Sequence, residues 1–321
     1  MRSCCTLVLL LLCIAAGVGC KANKPPPPPE PKPLLKKPAI DLSHGGGGFP
    51  VEANAIPANS NDLIRAIYQA YALRLQQPAK IRINAQTVPG QTGPLAPLKL
   101  LDIDLTGSTV RGDYIPKDGL KKDTQPLGTM RVAELSYVAD PLKYQNYTAG
   151  MRMTATRAEL ALSPTNDGKL NLALVDCRKG NAHLQVDLDS LRASLQEGVK
   201  IKRTLAFMID KIDLDFASAN PRNLSVRAVV HSRVLLVPAT FSIVGRADVD
   251  DDFNVHFSNL DAHGLDPTGK VVAELVQSRL DKANGRAAPL MKLPGDKIQV
   301  TAFKIHLDHK LAVDVGFKGT K

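Results

Sequence analysis

From Ile212 onward the chain is written largely in a two-residue period, and that restricts it to sheet. Ile212, Leu214 and Phe216 alternate with Asp213 and Asp215, and Leu311, Val313, Val315 and Phe317 repeat the pattern near the end. Successive side chains of a strand point to opposite faces, so this alternation describes strands with one buried face. Ile81 and Ile83, then Ile103 and Leu105, show the same rhythm earlier in the chain. Leu160 and Leu162, the triplet Asn166-Asp167-Gly168, and Leu170, Leu172 and Leu174 read as a hairpin, because Asp-Gly supplies the positive φ of a tight turn. An acidic corner, Asp250-Asp251-Asp252, turns into Phe253, Val255 and Phe257. Between Leu224 and Val249 the alternation breaks at Val229-Val230, Leu235 to Val237 and Ile243-Val244, with Pro238 interrupting the run. Such a sheet is covered on both faces in places, or lines an apolar interior.

Three segments carry a helical period instead. The first spans Asn61 to Gln76, capped by Ser60 or Asn61, with Ile64, Ile67, Tyr68, Tyr71 and Leu75 on one face. The second follows Asp187 as cap, with Leu188, Leu191 and Leu195 in a stripe. The third opens at Asp266-Pro267 and runs to about Ala283, with Asn284-Gly285 to end it. Its apolar residues are Val271, Val272, Leu275, Val276 and Leu280. Strands dominated by hairpins with separated helices give an α+β fold, expected as one domain over residues 58–321. That length supports a core without further staples.

The N-terminal part is not domain-like. Residues 1–19 read as an export signal: Arg2 precedes an apolar run from Thr6 to Val18, which is shorter than the roughly 20 residues that span a bilayer. Gly17-Val18-Gly19-Cys20 resembles a bacterial lipobox, with Gly17 where that pattern usually has Leu. The resemblance implies lipid attached at Cys20 and a protein anchored to a membrane of the bacterial cell envelope. The alternative is an ordinary secretory signal cut near Gly19. Residues 20–57 read as a linker, in which Pro25 to Pro29, Pro31, Pro33 and Pro38 form a semi-rigid polyproline spacer and Gly45 to Gly48 a flexible joint.

Chemistry is mostly missing from the sequence. With the signal removed and Cys20 lipidated, Cys177 is alone, unable to form an intramolecular bridge and expected as a small buried filler. The formal charge of +10 is partly in the linker, and the chain has no Trp to interleave with basic residues. Nucleic acid is therefore not expected as a partner, and anionic lipid headgroups are. Lys200, Lys202 and Arg203 are the candidate headgroup contact, against the plainer reading of a charged strand edge. His306 and His309 are placed on opposite faces, and nothing in the spacing brings His231 and His256 together. The acidic corner lacks the ligand spacing of a calcium loop. There is no Gly-x-Ser-x-Gly elbow, no His-Glu-x-x-His helix and no P-loop. No catalytic residue, metal or cofactor is nominated.

Three stretches carry a family resemblance: the helix start Asp187-Leu188-Asp189-Ser190-Leu191 after a strand, the helix from Pro267 after paired strands, and Leu293-Pro294-Gly295 leading to a closing hairpin around Asp308-His309. Together with the element order from Asn61 to Phe317, they resemble the LmeA-like phospholipid-binding family and, more broadly, the tubular lipid-binding (SMP/TULIP-like) proteins. The stretches Pro89 to Pro97 and Ile115 to Leu127 are loopier than that pattern. The resemblance implies a long twisted antiparallel sheet wrapped around helices, an apolar groove, and a non-catalytic carrier or sensor of a membrane lipid. It assigns the groove wall to Ile64, Ile67, Tyr71 and Leu75 on the first helix and to Val272, Leu275, Val276 and Leu280 on the third. The competing expectation is a structural or interaction module projected on the stalk, with a dry core and an exposed apolar patch.

Overall fold

The computed structural model describes residues 48–112, 125–144, 147–201, 207–290 and 297–320. In chain order its elements are β1 (Gly48–Val51), α1 (Ser60–Arg74), β2 (Arg82–Thr87), β3 (Leu98–Asp104), β4 (Thr109–Val110), β5 (Gly128–Tyr144), β6 (Tyr147–Pro164), β7 (Leu170–Asp176) and β8 (Lys179–Asp187). There follow α2 (Leu188–Ile201), β9 (Phe207–Ala217), β10 (Asn223–Val234), β11 (Val237–Val249), β12 (Asn254–Gly264), α3 (Pro267–Leu280), β13 (Ala287–Pro289), β14 (Ile298–Leu307) and β15 (Lys310–Gly319). The fold is α+β and mostly antiparallel, as the alternation requires.

The strands form two sheets. A ten-stranded sheet runs β14-β15-β8-β6-β5-β3-β2, with β7 and β1 continuing from β6, and β4 beside β5. A five-stranded sheet runs β13-β12-β11-β10-β9. Among the described residues the parallel pairings are those of β5 with β3 and with β4. The long β6 divides the larger sheet: Ala149 to Thr156 pair with β8, whereas Glu159 to Pro164 pair with β7. The β6–β7 hairpin closes as its Asp-Gly signal indicates, with Gly168 at φ 79°.

Each helix closes a different core. Helix α1 lays Leu63, Ala66, Ile67, Ala70 and Tyr71 on the larger sheet, against Leu101, Ile103, Val132, Leu160 and Leu162. Helix α3 lays Val272, Ala273, Val276 and Leu280 on β11 and β12. A third cluster joins the two sheets: Phe303, Ile305, Leu311 and Val315 meet Leu224, Ala247, Val249 and Val255, with Leu188 of α2. Burying such a side chain contributes about 1.5–3 kcal/mol.

The structure corrects several expectations. The cap of α1 is Asn59, whose side chain accepts from the Asp62 N–H at 3.0 Å. Neither Ser60 nor Asn61 fills that role, and the buried stripe turns toward Leu63 and Ala66, leaving Tyr68 exposed. The linker does not reach residue 57: Gly48–Val51 is already a strand paired with β7, with Phe49 and Val51 buried. On α3, Val271 and Leu275 face outward at 60% and 68% exposure. The arc spanned by the apolar residues of α3 is wider than its contact with β11 and β12. The caps at Asp187 and Asp266 stand as expected: Asp187 accepts from the Ser190 N–H at 2.7 Å and Asp266 from the Gly269 N–H at 2.6 Å.

Candidate functional site

Beside the buried face of α1 lies an open groove of about 560 Å3, floored by Ile64 and Tyr68 of the helix and by Ile81 and Ile83. Its rim is polar: Asn61, Arg65, Arg82, Asn84 and Asp102. Ile64 and Tyr68 are one helical turn apart and so project side by side. They stand next to the stripe that α1 buries, which leaves them half-buried and exposed, respectively. Strand β2 forms the opposite wall because it ends the strand order of the larger sheet and, among the described residues, pairs with β3 alone, Asn84 opposite Asp102. The Tyr68 hydroxyl donates to the Pro78 carbonyl at 3.4 Å, which joins the helix to the segment leading into β2. Lys80 Nζ donates to the Gly107 carbonyl at 2.7 Å and holds that segment from below. An apolar floor with two guanidinium groups at its edge suits an amphiphile carrying a negative head.

Of the residues assigned to an apolar groove wall, only Ile64 lines this groove. Ile67, Tyr71 and Leu75 are packed into the core of the larger sheet, Ile67 with no exposed surface. Tyr71 and Tyr137 are hydrogen-bonded there; burial pushes the Tyr137 hydroxyl up to about 12 and raises that of Tyr71 well above its ordinary value. Val272, Val276 and Leu280 are core of the smaller sheet, and Leu275 is on the outer face of α3. Lys200 belongs to the last turn of α2. Lys202, Arg203 and Cys20 lie outside the described residues.

Cys177 is buried, and desolvation, then the Asp176 charge, push its thiol up to about 11. Each histidine among the described residues stands within 3.4 Å of an aspartate oxygen. His183 and His306 share one partner: Asp314 lies 2.7 Å from the first and 3.0 Å from the second. This cross-strand trio on β8, β15 and β14 was not readable from spacing, because the three residues are far apart in sequence. Among the described residues no group of three or more His, Cys, Asp or Glu is arranged to hold a metal ion. The acidic corner is a hairpin turn: the Asp250 carboxylate accepts from the Asn254 N–H at 2.8 Å and lies 2.6 Å from His256 Nε2.

A scan against family models, a search of curated proteins and a search of solved structures each find no match for this chain.

Proposed function

We propose that this is a non-catalytic, lipid-anchored protein of the bacterial cell envelope that binds an amphiphilic membrane lipid in the groove between α1 and β2. The observation that carries the reading is the groove itself, with Ile64, Tyr68, Ile81 and Ile83 beneath Arg65 and Arg82. Its volume falls within the range of about 300–1,000 Å3 that small-molecule sites occupy. The acyl part rests on the isoleucines, and an anionic head is held by Arg82, since Arg65 already has Asp62 at 3.7 Å. The resemblance to tubular lipid-binding proteins and the lipobox-like Cys20 support the same reading. The site differs from the one the resemblance implies: it is an open groove at a sheet edge that takes only Ile64 of the expected wall, while Ile67, Tyr71, Leu75, Val272, Val276 and Leu280 are core and Leu275 is exposed.

Native mass spectrometry and titration with a lysophosphatidylglycerol test it. Ile64→Asp places a charge on the floor and weakens binding about tenfold or more. Arg82→Glu weakens binding of the anionic lipid and leaves lysophosphatidylcholine little changed. Equal binding by wild type and Ile64→Asp overturns the reading. For the anchor, Cys20→Ala is expected to leave the detergent phase, and a variant that partitions like wild type overturns that part.

A second reading, an interaction module projected on the stalk, is favoured by one observation: Val271 and Leu275 form an exposed apolar pair one turn apart on α3. Under that reading Leu275→Lys abolishes partner capture and Ile64→Asp does not.

A further inference from the structure

The β10–β11 hairpin closes with only Leu235 and Leu236 between the paired Val234 and Val237. Both leucines have positive φ, 46° and 71°. Two-residue hairpin turns demand that conformation, and Asn-Gly or Asp-Gly normally supplies it. A leucine there crowds its Cβ against the backbone, so the turn is strained at two consecutive positions. Among the described residues nothing gains from this: Leu235 is 71%, Leu236 69% and Val237 50% exposed. Pro238 is exposed beside them. On the neighbouring strand Phe207 stands opposite Val234 and Met208 opposite Arg233, so the sequence at this end of the smaller sheet is apolar across three strand ends. Among the described residues the first charges behind the tip are Arg233 and Asp210, joined by two hydrogen bonds of 2.8 and 2.7 Å.

We propose that this hairpin tip inserts into the surface of a lipid bilayer. Two to three residues at about 3.3 Å each separate the tip from the Arg233–Asp210 pair, a height of roughly 7–10 Å. Apolar elements that lie in a membrane interface sink about 5–10 Å into the boundary of headgroups and acyl chains. The charged pair therefore stays at headgroup level while the leucines enter hydrocarbon. A fluid bilayer accepts a convex point two residues wide in any orientation about its axis. This inference does not depend on the groove beside α1, which lies on the other sheet.

The chain contains no tryptophan, so Leu236→Trp in the full-length protein is a unique fluorescent reporter. On vesicles of phosphatidylcholine mixed with phosphatidylglycerol its emission shifts to shorter wavelength and is quenched by acyl-brominated lipid. Leu73→Trp, on an exposed position of α1, stays water-like. Second, Leu235→Asn with Leu236→Gly gives the turn the residues its geometry favours. That variant melts above wild type, and with Cys20→Ala in both chains its binding to the same vesicles falls about tenfold or more. A tryptophan at position 236 that remains water-like on vesicles overturns the proposal, including the case where it is buried only by a soluble protein. So do an equal shift at position 73 and a double variant that binds as tightly as wild type.

Discussion

Asp250 shows how much a single corner residue can hold. Its carboxylate receives the Asn254 N–H and faces His256. Hydrogen bonding to His256, then to the Asn254 backbone, lowers its pKa to about 2. An unfolded aspartate titrates near about 3.9. Above that value the group is charged in both states and its bonds contribute fully. As the pH falls from about 4 toward 2 the unfolded chain takes up a proton that the folded chain refuses, so the contribution is lost over that window. The melting-temperature gap between wild type and Asp250→Asn is expected to close as pH drops through it. Cys177 makes a second residue-level case. With its thiol at about 11 and buried, it should react with iodoacetamide slowly in the native protein and rapidly after unfolding. Labelling at the unfolded rate in the native state would contradict the packing described. A filler role was readable because Cys177 stands alone once the signal is removed and Cys20 is lipidated, with no partner for a bridge. The His183–Asp314–His306 trio was not readable, since cross-strand register is set by distant parts of the chain.

Helix α3 is the element in which local and tertiary demands meet most closely. Asp266 accepts from the Gly269 N–H and also from the Thr240 N–H of β11, each at 2.6 Å, so it caps the helix and fixes it to the sheet. These bonds hold its carboxyl below the usual aspartate range, with the Gly269 N–H as the largest cause. Asp266→Ala should therefore destabilise more than the loss of an ordinary cap, because it also strands the Thr240 donor. Gly269→Ala tests the same junction from the other side. Alanine has the better helix propensity, yet its Cβ would lie 2.0 Å from the Thr240 carbonyl oxygen. Thermal melting is expected to show destabilisation, against the propensity; a higher melting temperature would mean that helix and strand do not meet so closely. The sequence made the start of this helix legible, since Asp266-Pro267 acts within one turn. It did not reveal which apolar residues face in, because Leu275 and Val276 are neighbours whose fates depend on where β11 and β12 lie. The same limit applied to α1, where Ile64 and Ile67 read alike, and only the position of β2 separates a groove residue from a core residue.

At the scale of the molecule, two sheets with separate helical covers share a third cluster built from Phe303, Ile305 and Leu311 on one side and Leu224, Val249 and Val255 on the other. Alternation made the strands legible and the α+β class with them. It could not show that the strands divide into two sheets, because partner choice is non-local. It also left the beginning of the folded region too late. Four residues, Gly48-Phe49-Pro50-Val51, are too few to display a period after a glycine run. They nonetheless pair in register with Leu170 to Ala173 and bury Phe49 against Tyr137, ring centroids 5.7 Å apart. Pro50 is tolerated because, among the described residues, β1 pairs with β7 alone and so stands at a sheet edge. The nearby Glu52–Lys169 pair at 2.6 Å is partly exposed and adds little by comparison. Two truncations separate the expectations. A chain beginning at Gly48 keeps every described contact and should melt with the full-length protein. A chain beginning at Ala58 loses the Phe49 and Val51 side chains and uncovers the edge of β7. Since removing a buried Phe side chain alone costs about 3–5 kcal/mol, the second chain should lose a large part of its stability and expose apolar surface to dye. Equal melting of the two chains would return residues 48–57 to the tether and set the start of the domain at α1.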